Sequence, residues 1–339
     1  MKSINIVPRV KVKGMPQQSF FVTGALGCIG AWVVRNLIHE DVDVTVFDLG
    51  TDPHRLRLIL TPDELARVHF VAGDVTDLNL VETSMRNAGT THIVHLAGLQ
   101  VPFCKADPSL GARVNVVGTV NIFEAAKRSG IKHLSYASSI AVYGLSEDYP
   151  EAVLSHDAVA KPRSHYGVYK QANEGTARIY WLDDGVSSIG LRPYIVYGPG
   201  RDQGMTSLPT KAMMAAAMGK PYHISFGGRS AYQYADDVAR IFIQAARADF
   251  KGSDVFNLRS SVVRMAEIVA AIEASEPTSK GQITFDDKPL PFPEDMDDSS
   301  LIAALGTLPY TSLEEGVGKT IAIFRQALQD GRLSPDALK

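Results

Sequence analysis

Tyr166 and Lys170, four residues apart in "SHYGVYKQANE", can work as a proton-transfer pair if they share one face of a helix. A phenol has an unperturbed pKa of about 10, too high for ready proton exchange at neutral pH. An ammonium beside it favours the phenolate and lowers that value. Tyr166 could then take a proton from a substrate hydroxyl as hydride leaves the same carbon, or return it in the reverse direction. Upstream, "YASSIAVYG" puts Ser138 and Ser139 at the end of an apolar run. There Ser139 could hydrogen-bond the substrate oxygen and hold it beside Tyr166. A Tyr-x-x-x-Lys spacing is common on surface helices, so the pair needs a hydride carrier to mean anything.

"FFVTGALGCIGAWVVRNL" supplies the second half of that chemistry. Gly24, Gly27 and Gly30 stand where an apolar strand hands over to a helical pattern. Gly24 permits a tight turn, Gly27 lets backbone approach a pyrophosphate, and Gly30 lets the helix pack on the sheet. The helix N-terminus adds a partial positive charge. Cys28 and Ile29 lie inside the loop, with Cys28 expected to pack as a small apolar residue. Asp48 ends the next strand, about 20 residues on, where a carboxylate binds adenine-ribose hydroxyls. It would repel a 2′-phosphate, so NAD is favoured over NADP, although Arg55 and Arg57 follow closely.

These residues need a frame. Apolar runs at 20–24, 42–48, 67–74, 91–98, 132–139 and 187–193 read as strands, with helical stretches at 28–39, 108–128 and 166–182. Strands separated by helices indicate parallel βαβ units, hence an α/β, doubly wound sheet of Rossmann type. After Pro193 the rhythm loosens. Helical patterns at 208–219 and 236–249, a strand at 253–258 and a closing helix near Leu313–Leu328 remain. Asp236 or Asp237 could cap the 236–249 helix. The expected division is a dinucleotide-binding domain of 18–193 plus 236–258, and a smaller mixed substrate lobe of 194–235 plus 259–339.

The bulk numbers narrow the class. The chain has 339 residues, 45% apolar and 21% charged, with a formal net charge of −3, which gives no nucleic-acid footprint. No apolar run approaches the length of a membrane span. The N-terminal "MKSINIVPRVKVKGMPQQ" lacks a continuous apolar core and reads as a frayed lead-in rather than a secretory signal. The two cysteines, Cys28 and Cys104, have no zinc-type spacing and suit a reducing cytoplasm. No metal constellation is expected. The acidic cluster Glu294, Asp295, Asp297 and Asp298 reads as a solvated face or helix cap, and His95 as a core histidine.

The ordered set of glycine loop, Asp48, "GDVTD", "HLAG", "NVVGT", serine pair, Tyr166 and Lys170 resembles the extended short-chain dehydrogenase/reductases, the NAD-dependent epimerase/dehydratase group, over about Phe20 to Leu258. The resemblance implies catalytic Ser139, Tyr166 and Lys170. It also implies Asp74 and Val75 at the adenine, Leu96, Ala97 and Gly98 along the cofactor, and Lys170 on the nicotinamide ribose. Asn115 matches a position that supports the active-site helix and a water near the lysine. Pro193, Tyr194 and Val196 would line the nicotinamide. Many relatives are homodimers that pair the helices placed here at 108–128 and 166–182.

Three departures bear on substrate. Dehydratases of the group carry an acidic pair after the catalytic Ser/Thr; Ile140 and Ala141 stand there and supply no general acid for water elimination. Nucleotide-sugar enzymes carry a diphosphate-gripping arginine before the Asp-Asp-Val motif; Ser230 aligns with it, and the adjacent Arg229 either substitutes or is a surface residue. A diphosphate without a bidentate partner binds poorly. Finally, "LQVPFCKADP" (99–108) should overhang the substrate, with Gln100, Phe103, Cys104 and Lys105 as contacts; Arg201, Ser138, Ile140 and His165 are further candidates. Hydride chemistry needs no thiol, so Cys104 is not expected to be a nucleophile. The pattern favours an NAD-dependent dehydrogenase or reductase acting on a free sugar, sugar acid or similar small molecule. The alternatives are a nucleotide-sugar epimerase with tightly held NAD and, less favoured, a non-catalytic NAD sensor.

Overall fold

The computed structural model describes residues 18–338, so the N-terminal lead-in lies outside the described residues. Ser19–Thr23 forms the first strand, β1. It sends Phe20 and Val22 into one hydrophobic cluster and Phe21 into another, and all three are fully buried. A strand apolar on both faces has to be covered on both faces. Most of the remaining strands are buried likewise, Asp43–Asp48 (β2), His92–His95 (β4), His133–Ala137 (β5), Ser188–Arg192 (β6) and Ser253–Asn257 (β7), while His69–Ala72 (β3), at the sheet edge, is largely exposed.

All seven strands run parallel, in the order β7-β6-β5-β4-β1-β2-β3. The order reverses between β1 and β4, and the crevice beyond the C-terminal ends of those strands is where ligands bind in such sheets. Helix α1 (Cys28–His39) begins directly after the glycine turn. Leu78–Asn87 (α2), Gly118–Arg128 (α3) and His165–Asp184 (α4) follow, and Ala235–Arg247 (α5) packs against α1 on its face of the sheet.

Details depart from the sequence expectations. The strands read at 67–74 and 91–98 are four residues each; Leu96–Gly98 leave the sheet to wall the crevice. The 99–108 overhang contains a short helix, Val101–Ala106, not only loop. The single helix expected over 108–128 is interrupted: Pro108–Ala112 runs into a π-helical turn, Arg113–Val117, before α3. Such single turns accommodate an extra residue, and this one is centred on Asn115. Neither Asp236 nor Asp237 caps α5. Tyr234 is its N-cap, while Asp236 accepts from Asn36 Nδ2 at 2.7 Å and Asp237 accepts from Thr311 N at 2.6 Å and Thr311 Oγ1 at 2.9 Å.

Beyond the main sheet, Ile195–Tyr197, Arg229–Tyr234 and Ser261–Arg264 form a three-stranded sheet, and Leu313–Gln329 closes the chain as a helix. Within the acidic cluster Glu294 is exposed and Asp298 stands at the N-cap of the helix Ser299–Leu305, but Asp295 is not on a solvated face: it is buried and takes Arg259 bidentately at 2.8 and 3.0 Å. Among the described residues no helix is long and apolar enough to cross a membrane.

Candidate active site

The turn after β1 has no room for side chains. Gly24 has φ +65°, and a Cβ there would sit 2.5 Å from the Ala97 amide nitrogen. A Cβ on Gly30 would sit 2.5 Å from the Gly24 carbonyl oxygen, so α1 is pressed onto the turn. Gly27 caps α1 without a side-chain hydrogen bond, so no side chain competes for the partial positive charge of the first turn. Asp48 accepts from Leu26 N and Gly50 N, each at 3.0 Å, which seats its carboxylate against the glycine loop. Arg55 is committed to Asp202 through Nε and Nη2 and to the Leu26 carbonyl through Nη1, and Arg57 is paired with Asp52. Neither arginine is left for a 2′-phosphate. The close-packed glycine cradle, the uncapped helix start and the seated acid fit an NAD dinucleotide.

A cleft of about 1160 Å³ opens above this cradle. It is lined by Gly24, Gly27, Cys28, Ile29, Gly30, Asp48, Asp74, Val75 and Leu96–Gly98 on the glycine-loop side. Ser138, Ser139, Ile140, Tyr166, Lys170, Pro193, Tyr194 and Val196 line the other part, together with Gln100, Phe103, Lys105 and Arg201. Residues as distant in sequence as Gly24 and Arg201 thus share one cavity, because the parallel strands all end on one edge.

Ser139 follows β5, and its hydroxyl accepts from Ala141 N at 3.2 Å. Tyr166 and Lys170 stand on α4, whose N-cap Ser164 accepts from Gly167 N at 3.1 Å. Lys170 is buried; its Nζ donates to the Ala137 carbonyl at 2.7 Å and lies 5.6 Å from the centroid of the Tyr166 ring. The ammonium therefore sits over the ring face and is bonded to β5. Burial lowers the Lys170 pKa from 10.5 to about 8, against the opposing pull of Cys104 and Glu174. Burial raises the Tyr166 phenol above 10, while a hydrogen bond with Ser139 and the charge of Arg201 act in the lowering direction.

Four expected residues do not line the cleft. Asn115 lies behind Gly98, where its Oδ1 would be 2.6 Å from a Cβ on that glycine. Its Nδ2 donates to Gly111 O, Leu99 O and Cys104 Sγ, while Oδ1 is buried without a partner. Arg229 points elsewhere, 3.5 Å from Asp295 and 3.6 Å from Glu294, and Ser230 is buried. Cys104 is buried with its thiol donating to Leu99 O at 3.2 Å, so it is no substrate contact. His165 stacks on Tyr169. His95 is a core histidine, bonded to Thr23 at 2.6 Å and Thr119 at 3.0 Å.

Sequence reasoning missed a buried network under the serines. Glu174, one turn past Lys170, accepts from Ser138 Oγ at 2.5 Å and takes Arg192 bidentately at 2.8 Å to each oxygen. Arg192 also donates to Tyr143 Oη at 2.6 Å. The four-residue step from Lys170 to Glu174 was the available signal. The Arg55–Asp202 clamp, 147 residues apart, had none.

A sequence profile of the NAD dependent epimerase/dehydratase family matches residues 20–258. A UDP-glucose 4-epimerase of Mycolicibacterium smegmatis is 28% identical over 323 residues, 91% of this chain and 99% of that protein. The solved UDP-glucose 4-epimerase of Thermus thermophilus, in complex with NAD, superposes with TM-score 0.75 at 25% identity, covering 91% of this chain and all of the other. The L-threonine dehydrogenase of Clostridium difficile has the same fold, with TM-score 0.78 at 22% identity over 94% of this chain and 99% of that one. With the glycine cradle, the seated Asp48 and the Ser139–Tyr166–Lys170 cleft in place, the chain belongs to the NAD dependent epimerase/dehydratase family.

Proposed function

We propose that this protein is an NAD-dependent dehydrogenase or reductase acting at a secondary alcohol or ketone of a small carbohydrate-like molecule rather than a nucleotide sugar. The observation that carries the substrate half of this reading is at Ser230. A buried serine stands where the group's diphosphate-binding arginine aligns, and Arg229 is held by Asp295 and Glu294. A diphosphate would lack its bidentate partner there.

NAD, when bound, supplies the hydride acceptor and, once reduced, the hydride donor. Gly24, Gly27 and Gly30 would hold its pyrophosphate against the start of α1, and Asp48 would take its adenine ribose. Ser139 Oγ–H donates to the substrate oxygen and orients it toward Tyr166. Tyr166 Oη takes the hydroxyl proton in oxidation and gives it back in reduction. Lys170, still largely protonated at neutral pH with a pKa of about 8, stabilises the phenolate by its charge. Ile140 and Ala141 supply no acid for water loss, which argues against dehydration.

A second reading, a nucleotide-sugar epimerase that keeps its NAD, is favoured by the 28% identity to a UDP-glucose 4-epimerase along nearly its full length. Denaturing purified protein and assaying released NAD separates the two, combined with NADH absorbance against sugars, aldonates and nucleotide sugars. Exchangeable NAD with a net signal supports the dehydrogenase; retained NAD without one supports the epimerase; neither supports a sensor.

Pairing of two copies through the 108–128 and 165–184 helices is part of the proposal. Leu110, Val117, Val168, Ile179 and Leu182 are apolar and exposed on those helices. Sedimentation of the parent against Leu182→Lys tests it, with a monomeric variant expected.

A further inference from the structure

Arg201 is a cation in the cleft with no acidic partner among the described residues. The turn that carries it contains three glycines in the left-handed range, Gly198 (φ +130°), Gly200 (+92°) and Gly204 (+81°). The Arg201 amide donates to Gly198 O at 3.0 Å, and the neighbouring Pro199 carbonyl accepts from Trp32 Nε1 at 2.9 Å, which fastens the turn to α1. Asp202, next in sequence, is consumed by Arg55 and His54 and does not neutralise Arg201. Of the guanidinium's donors, Nη2 is engaged by Thr206 Oγ1 at 2.7 Å, and Nε is buried with no hydrogen-bond partner.

A guanidinium stays charged at any working pH, and leaving its donors unpaired is costly. A turn built to hold one in that condition is built for an anion that arrives with the substrate. Arg201 lines the same cleft as Ser139 and Tyr166, and its charge acts on the Tyr166 phenol, so the anion would lie close to the reacting carbon. Lys105 lines the cleft as well. A nucleotide sugar that reacts at a ring carbon remote from C1 holds its diphosphate a full sugar ring away from that carbon.

Resting on the reading of Tyr166 as proton carrier, we propose that Arg201 binds a carboxylate carried by the substrate beside the reacting carbinol, which makes the substrate a small hydroxy acid or sugar acid. The test uses matched acids and amides: D-gluconate and D-gluconamide, D-glucuronate and D-glucuronamide, L-threonine and L-threoninamide, with UDP-glucose and glucose 6-phosphate as separate oxyanion arms. Affinity for the NAD-loaded full chain is read by thermal shift, and turnover by NADH absorbance, for the parent, Arg201→Gln and Arg201→Lys. We expect at least one acid to bind about tenfold or more tightly than its amide. That preference should vanish in Arg201→Gln and survive in part in Arg201→Lys. The proposal is overturned if every acid matches its amide, if the preference persists in Arg201→Gln, or if only UDP-glucose or glucose 6-phosphate gains from Arg201. NADH binding, followed separately by fluorescence, distinguishes the two levels. A parent that binds no NADH brings down the hydride-transfer reading and this proposal with it, whereas one that binds NADH but prefers no acid brings down this proposal alone.

Discussion

The Lys170 ammonium lies over the face of the Tyr166 ring, 5.6 Å from its centroid, and is pinned there by the Ala137 carbonyl at 2.7 Å. Its charge thus faces the phenol through space rather than by a direct hydrogen bond. Removing it takes that charge away and leaves only the Ser139 hydrogen bond and the Arg201 charge to oppose burial at Tyr166. Lys170→Ala should move the rate limb that reports phenolate formation to higher pH by about one unit or more, and weaken NADH binding. A pH profile with its limb unmoved would separate Lys170 from the proton relay.

The same lysine predicts a stability trend. Its folded pKa of about 8 lies below the ordinary 10.5, so the fold pays for the charged form at lower pH. Between about pH 8 and 10.5 the unfolded chain binds more protons, and this contribution to stability rises with pH. Urea unfolding of the parent should gain on that of Lys170→Met across that window; a constant difference between the two would refute the trend.

Asp48 both seats the glycine loop and lines the cleft. Asp48→Ala should raise the NADP-to-NAD affinity ratio roughly tenfold by removing a like charge, at a stability cost of about 1 kcal/mol for the two lost backbone contacts. Because Arg55 and Arg57 are already paired, the gain should stop well short of a full switch. An unchanged ratio by fluorescence titration means the carboxylate does not read the ribose.

Glu174 and Arg192 form a mostly buried ion pair that also receives the Ser138 hydroxyl. Breaking one partner strands the other charge. Glu174→Gln should lower stability by about 3 kcal/mol in chemical denaturation. A loss under about 0.5 kcal/mol would mean that the pair does not hold β6 to α4.

How much of this was readable in the residues follows from range. Strands such as Ser19–Thr23 and the Gly24 turn were legible because their signals are local: an apolar run, then glycines where φ turns positive. Tyr166, Lys170 and Ser139 were legible as types in a known order, and the parallel sheet brings them to one cleft. The expected caps at Asp236 and Asp237 failed because tertiary partners, Asn36 and Thr311, claimed those carboxylates. The solvated reading of Asp295 failed for the same reason, since Arg259 and Arg229 draw it inward. In the second sheet, Ile195–Tyr197 and Ser261–Arg264 have only three and four residues, too few for a period to stand out.

Everything turns on the phenol oxygen of Tyr166. Tyr166→Phe removes that atom and little else, so NADH should bind it within a few-fold of the parent by fluorescence. Turnover of any compound the parent oxidises should fall about 10²- to 10⁴-fold. A variant that binds NADH equally and turns over at the parent rate would take Tyr166 out of the reaction and leave the cleft without its acid and base.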